Sequence, residues 1–300
     1  MSTALAIETS GLGKRFGSTW ALQDCTLAVL PGHVTALVGA NGAGKTTLLR
    51  LLVGLATPTA GSARVLGSDP DSSEDFLAGI GYLAQDVPLY RRLSAAEHIG
   101  LGARLNHRWD AEGAHRRLAG LKVPTDRPVQ TLSGGQRAQV GLSLALAKEP
   151  QLLLLDEPVA SLDPLARREF LATLSEAVAE GGLSVVISSH LLHDLERICD
   201  HLILLSASRT LLCSEIEDVL ATHRMLVGPR RDPRDVEPNL QVIRAVQTQR
   251  QTRLLVHADG PVLDPAWEVN EVGLEDVILG YMEGELMGSP SRLGLVEVAS

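Results

Sequence analysis

Val34-Thr35-Ala36-Leu37-Val38-Gly39-Ala40-Asn41-Gly42-Ala43-Gly44-Lys45-Thr46-Thr47 runs a fully apolar-flavoured strand into a glycine-rich turn. The chain leaves that turn through Thr46 to Leu55, where Leu48, Leu51, Leu52 and Leu55 recur at helical spacing. A strand, a Gly-rich loop and a helix in direct succession form a phosphate cradle. The glycines let backbone N–H groups close on phosphate oxygens, and the helix start adds further donors and a favourable dipole. In the spacing from Gly39 to Thr46, Lys45 reaches the terminal phosphates and the Thr46 hydroxyl is placed to ligate Mg²⁺. Leu48, Leu51 and Leu52 read as core. A glycine-rich turn with no ligand is the plain alternative, and the strand and helix on either side count against it.

Working outward, Ile80 to Ala84 reads as a second short strand, and Ser94 with Glu97 forms a capping-box pattern ahead of a helix over His98 to Leu105. Helical character continues to about Gly120, and 124–131 is a connector. Ser133-Gly134-Gly135-Gln136 then opens a helix that runs to Lys148. Leu152 to Leu155 is apolar at every position, as a parallel strand covered on both faces must be. Asp163-Pro164 starts another helix and Gly181 ends it. Strands over Leu183–Ile187 and Leu202–Leu205 flank a short helix from Leu191 to about Ile198. This alternation predicts an α/β fold around a largely parallel sheet. Past His223 the pattern changes: Arg230 to Pro238 is a charged, proline-bearing loop, Val242–Val246 and Leu254–His257 are strands, and Leu274–Met282 is a helix. The division expected is 1–222 for the main domain and 223–300 for a small α+β appendage serving dimer support or regulation.

Two further clusters carry chemistry. Asp156 and Glu157 follow the apolar strand, where one carboxylate can hold Mg²⁺ through water and its neighbour can orient or deprotonate a water attacking the γ-phosphate. An isolated Asp-Glu pair is also how an ordinary strand end turns polar; the phosphate cradle upstream favours the chemical reading. Leu132-Ser133-Gly134-Gly135-Gln136 adds a second helix start able to receive an anion, which one active site does not need.

Here the chain resembles the ABC ATPase family, whose signature is that second motif. Gln85 matches the Q-loop, Asp156-Glu157-Pro158 the Walker B end, Ser161-Leu162-Asp163 the D-loop, and His190 in Ser188-Ser189-His190 the switch histidine. Phe16, in Lys14-Arg15-Phe16-Gly17, stands where the family stacks an aromatic on adenine, with Trp20 nearby as the competing ring. The motifs follow family order over residues 1 to about 222.

The resemblance implies a P-loop NTPase core with an antiparallel β subdomain and a helical subdomain spanning roughly 86–140. It also implies ATP and Mg²⁺, and a head-to-tail dimer that sandwiches each ATP. The cradle residues Gly39, Asn41, Gly42, Ala43, Gly44, Lys45, Thr46 and Thr47 act from one copy and the signature residues Ser133, Gly134, Gly135 and Gln136 from the other, with Asp163 of the D-loop also among the nucleotide-binding residues. Gln85 senses Mg²⁺ and the attacking water, with Thr46 and Asp156 completing the metal set. His190 holds Glu157 and the water in place; without the family register it reads as an ordinary strand-end histidine.

The further expectation is an ATP-hydrolysing engine of a bacterial drug- or antibiotic-type exporter, on the cytoplasmic face of the membrane beneath a separate permease. It rests on the single nucleotide domain, the stretch Ser161-Leu162-Asp163-Pro164-Leu165-Ala166-Arg167 and the helix at Leu274–Leu279. The alternatives are an importer ATPase and a non-transport ABC ATPase acting as a nucleotide-driven clamp.

Composition bounds the rest. The 300 residues are 45% hydrophobic, enough to bury a full core. A net charge of −9 opposes non-specific attraction to nucleic acid. Cys25, Cys199 and Cys213 lack metal-ligand spacing and fit a reducing compartment. No secretory signal or run of roughly 20 apolar residues is visible, so a separate chain is expected to supply any pore.

Overall fold

The computed structural model describes residues 5–71, 73–189, 196–286 and 295–297, and they divide into two compact units, Met1–Cys213 and Ser214–Ser300. In chain order the first contains β1 (Ile7–Phe16), β2 (Thr19–Val29), β3 (Val34–Val38), α1 (Lys45–Leu52), β4 (Ala60–Val65), α2 (Glu74–Ala78) and β5 (Ile80–Leu83). It continues with α3 (Ala95–Leu105), α4 (Ala111–Gly120), α5 (Gly134–Ala147), β6 (Leu152–Leu155), α6 (Pro164–Ala179), β7 (Ser184–Ser189), β8 (His201–Ser206) and β9 (Arg209–Glu215).

The main sheet has the order β5-β6-β7-β3-β8-β9. Pairing is parallel from β5 through β8, with Leu154 opposite Val186 and Ala36 opposite Leu202. Every residue of β3, β6 and β7 is buried, which is why β6 reads as an unbroken apolar run and β3 and β7 as mainly apolar ones, rather than alternating. Ala207 and Ser208, both at positive φ, turn β8 into β9.

A second, antiparallel sheet orders β2-β1-β4. One apolar cluster joins the two sheets through α1: Leu48, Leu49, Leu51 and Leu52 pack among Ile7, Leu22 and Val65 on one side and Leu37, Leu154 and Val186 on the other. The helix stops at Leu52, three residues short of the expected Leu55. Gly54 turns the chain at φ 72°, where an added Cβ would meet the Asp71 backbone. The family resemblance implied this antiparallel subdomain, but periodicity did not locate its strands. Register shifts between Thr9 and Lys14 break the two-residue alternation of β1.

The helical subdomain has its own core, in which Ile99, Leu118 and Val140 of α3, α4 and α5 meet. Ser94 caps α3 as expected: its Oγ accepts from Glu97 N at 3.2 Å, while Ser94 N donates to Glu97 Oε2 at 2.7 Å. The expected helix over Leu191–Ile198 falls largely in 190–195, outside the described residues; 196–198 form a turn.

The second unit contains α7 (Ile216–Thr222), β10 (His223–Pro229), β11 (Leu240–Gln247), β12 (Gln251–Ala258), β13 (Glu268–Asn270), α8 (Leu274–Leu286) and β14 (Leu295–Glu297). Its sheet runs β13-β10-β12-β11-β14 around a core of Leu226, Leu254, Val256 and Trp267. The α+β character matches the expectation, with more strands than sequence reading located. Compactness divides the chain at Cys213/Ser214, which gives α7 to this unit, whereas the composition change lies after Thr222. Among the described residues no helix is long and apolar enough to cross a membrane.

Candidate functional site

The loop from Gly39 to Gly44 leaves the carboxyl end of β3 and delivers Lys45 as the first residue of α1. Gly44 caps that helix at φ 107° with no side-chain cap, and a Cβ there would lie 2.6 Å from Ala21 O. At Gly39 an added Cβ would collide with Leu205 O. Both positions therefore demand glycine, and the first N–H groups of α1 stay clear of side-chain caps.

Lys45 is buried at 4% exposure. Its Nζ donates to Gly39 O at 2.8 Å and Ala40 O at 3.3 Å, and lies 3.1 Å from Glu157 Oε1. Thr46 Oγ1 donates to Asp156 Oδ1 at 3.1 Å. Asp156 is only 1% exposed, and the same Oδ1 accepts from Ser188 Oγ at 3.0 Å. Ser188 Oγ in turn accepts from Glu157 N at 2.8 Å. Glu157 holds a left-handed backbone, φ 45°, at the turn after β6. Burial, and then the Asp156 carboxylate, raise the pKa of the nearby Tyr82 phenol. Sequence reading singled out neither Tyr82 nor Ser188; the polar pair that closes β7 after Val185-Val186-Ile187 was the available signal for Ser188.

Of these groups Lys45, Thr46 and Glu157 open onto a cavity of about 510 Å³, with Asp156 and Ser188 buried behind them. Asn41, Gly42, Gly44, Lys45, Thr46, Thr47, Gln85 and Glu157 line it, together with Ala21 and Ala160. Gly39 and Ala43 are the buried members of the loop and do not line the cavity. Phe16 is 58% exposed at the end of β1, with Lys14 Nζ 5.3 Å from its ring centroid; Trp20 is engaged by Arg15 at 5.6 Å. Each ring thus has a cation over it, and Phe16 is the more exposed of the two.

The expected signature residues stand elsewhere. None of Ser133, Gly134, Gly135 or Gln136 lines the cavity. Ser133 and Gln136 form a capping box at the start of α5, with Ser133 N donating to Gln136 Oε1 at 3.0 Å and Gln136 N to Ser133 Oγ at 3.2 Å. Ser133 and Gly134 are exposed, and a Cβ on Gly135 would sit 2.6 Å from Ala166 Cβ of α6. Asp163 caps α6, its Oδ1 accepting from Leu165 N and Ala166 N at 3.0 Å each. His190 lies outside the described residues.

A family profile described as ABC transporter matches residues 22–160, from β2 through the turn after β6. A solved structure of an ATP-binding subunit of an ABC transporter aligns with TM-score 0.64 and 30% identity, covering 72% of this chain and 92% of that one. The chain belongs to the ABC transporter ATP-binding subunits.

Two curated relatives fill out the comparison. A ribose import ATP-binding protein, RbsA 2 of Burkholderia cenocepacia, is 30% identical over 98% of this chain and 58% of its own length. A sulfate/thiosulfate import ATP-binding protein, CysA of Nitrosomonas europaea, is 36% identical over 68% of this chain and 59% of its own. The chain therefore spans somewhat more than half the length of these curated relatives. A dimeric bacterial ABC transporter cassette, 23% identical with TM-score 0.63, shares the fold.

Both curated relatives are named for import, so the expected export direction is without support among them. The physical reason is plain. The stretch Ser161–Arg167 and the Leu274 helix, which carried the exporter reading, belong to the ATPase and its appendage, whereas direction is a property of the membrane path the ATPase drives.

Proposed function

We propose that this ABC transporter ATP-binding subunit hydrolyses ATP to power solute import through a separate permease. The observation that carries the hydrolytic part is the convergence of Lys45, Thr46 and Glu157 on one cavity, with the buried Asp156 held behind Thr46: 3.1 Å separates Lys45 from Glu157, and 3.1 Å separates Thr46 from Asp156. The donor set suits a hard divalent cation, because the Thr46 hydroxyl and the Asp156 carboxylate present oxygen to one point. Mg²⁺ held there would supply neutralisation of the phosphate charge.

The protein's own groups do the rest. Loop N–H groups from Asn41 to Gly44 and the start of α1 receive the phosphates, and Lys45 Nζ contacts the terminal ones. Glu157 accepts the proton of the water that attacks the γ-phosphorus, as the bond to the β–γ bridging oxygen breaks. Gln85 reaches the same water from the cavity wall, Phe16 stacks on adenine, and His190 steadies the γ-phosphate. The exposed start of α5 serves a neighbouring copy: Ser133 and Gly135 add donors and a helix dipole to the γ-phosphate across a head-to-tail interface.

An apolar cavity of about 370 Å³, lined in part by Leu83, Val87, Trp109 and Leu144, lies between β5 and the helical subdomain, and supports docking of the permease there. The import direction rests on the relatives' names. The test is to co-purify the permease from native membranes and reconstitute the pair with the ATPase on the outer face of vesicles. Import predicts that external ATP empties the lumen of a loaded solute; ATP-driven accumulation inside the lumen would establish export instead. An ATP-independent flux, or no Mg²⁺-dependent phosphate release, would remove the engine altogether.

A further inference from the structure

Ser188 is fully buried at the polar end of β7, paired in register with Leu37 of β3. A hydroxyl in such a place must be satisfied by the protein, and this one is satisfied twice. It accepts from the backbone N–H of Glu157 at 2.8 Å and donates to Asp156 Oδ1 at 3.0 Å. The result is a short relay, from the amide of the residue proposed as general base to the carboxylate proposed to hold the metal.

Two features make the relay consequential. Glu157 sits at φ 45°, an unfavourable region for a glutamate, so something must hold its backbone there. The Ser188 hydroxyl takes the Glu157 N–H and anchors that turn. Asp156 Oδ1 also receives two hydroxyls at once, from Thr46 and Ser188. Thr46 is the one proposed to face the metal, so Ser188 is the hydroxyl that keeps the carboxylate oriented when Thr46 Oγ1 turns to the cation.

We infer that Ser188 is a positioning residue, which couples the metal-holding carboxylate of Asp156 to the backbone setting of Glu157 through one hydroxyl. Its full burial, off the cavity lining, keeps it from direct contact with a nucleotide there. The inference rests on the hydrolytic reading given above, and goes beyond it by making the tail of β7 set both the metal affinity and the aim of the base. A serine here ties the end of β7 to the two residues that follow β6, the neighbouring parallel strand, beyond a pairing that is apolar from Leu153–Val185 to Leu155–Ile187.

The test compares Ser188→Ala and Ser188→Thr with the unaltered full chain. Removing a hydroxyl that serves a carboxylate and a buried N–H is expected to lower kcat about tenfold or more, with KM for ATP changed less than about threefold. A readout without turnover accompanies it: the affinity for a fluorescent ATP analogue is measured in EDTA and across a Mg²⁺ titration. Ser188→Ala should match the unaltered protein in EDTA, which also shows that the cradle is folded, and should need several-fold more Mg²⁺ to tighten nucleotide binding. Ser188→Thr, which keeps the hydroxyl, should restore the Mg²⁺ midpoint. Unaltered kcat and Mg²⁺ midpoint in Ser188→Ala would overturn the inference, as would a loss of EDTA binding and thermal stability that Ser188→Thr fails to repair while the Mg²⁺ midpoint stays fixed. Absence of Mg²⁺-dependent hydrolysis in the unaltered protein would instead overturn the hydrolytic reading itself.

Discussion

Lys45 Nζ and Glu157 Oε1 stand 3.1 Å apart, both in side chains less than a tenth exposed. The lysine of the phosphate loop is thus the direct counter-ion of the carboxylate at the turn after β6. A buried pair of this kind holds its geometry because either charge left alone there is costly. A triphosphate entering the loop competes with Glu157 and two loop carbonyls for the same ammonium group.

Glu157→Gln keeps the size of the side chain and removes its basicity. ATP binding is expected to persist, turnover to fall by about 10²–10⁴-fold, and a nucleotide-bound dimer to accumulate. Size-exclusion chromatography with and without ATP, alongside phosphate release, checks this; a variant that stays monomeric and hydrolyses normally contradicts it.

Lys45→Ala deletes the cation from the cradle and leaves Glu157 without it. Nucleotide affinity should drop about tenfold or more, read by titration. Mixing Lys45→Ala with Ser133→Ala should regenerate one intact composite site in two and recover part of the activity. Complete absence of recovery would count against assembly of each site from two copies.

Gly135→Ala places a methyl group 2.6 Å from Ala166 Cβ, where α5 approaches α6. Overpacking of about 1–3 kcal/mol opposes a helix-propensity gain of at most about 1 kcal/mol, so the clash is expected to win and the melting temperature to fall. Ala166→Gly should relieve it: the loss caused by Gly135→Ala should be smaller in that background. Additive losses in calorimetry would rule out this contact.

His223 in the second unit is 1% exposed. Its Nδ1–H donates to Val219 O at 2.7 Å and its Nε2 lies 3.1 Å from Tyr281 Oη. Burial pushes its pKa down, and the neighbouring His257 and Arg224 charges push the same way, while the Val219 carbonyl opposes them. A histidine whose folded pKa is depressed binds its proton more readily when unfolded, so stability is full above the unfolded value of 6.5 and declines as pH falls below it. Melting curves from pH 7.5 to 5.5 should show that decline, and His223→Gln should flatten it. An unchanged slope in the variant would assign the pH dependence to other groups.

Much of the ATP-binding cassette is legible in the amino-acid sequence. Strands such as Leu152–Leu155 announce themselves because burial on both faces forces unbroken apolarity. Gly39 to Thr46 announces itself because close backbone approach admits few residue types. The strands of β1 and β13 were not legible: one is interrupted by bulges, and the other is three exposed residues whose place comes from pairing with β10. Ser188 hid for a related reason, since a serine at a strand end is ordinary until its partners are known.

From the chain alone came the family, the parallel sheet and the chemical kind of each motif, because these depend on residue type and local spacing. The meeting of Thr46 with Asp156, 110 residues apart, belongs to the tertiary structure. So does the pairing of Lys45 with Glu157 and the burial of Ser188 between Asp156 and Glu157. Local pattern specifies strands and helices, but the order β6-β7-β3, which brings the carboxyl ends of distant segments side by side, arises only when those strands pack together.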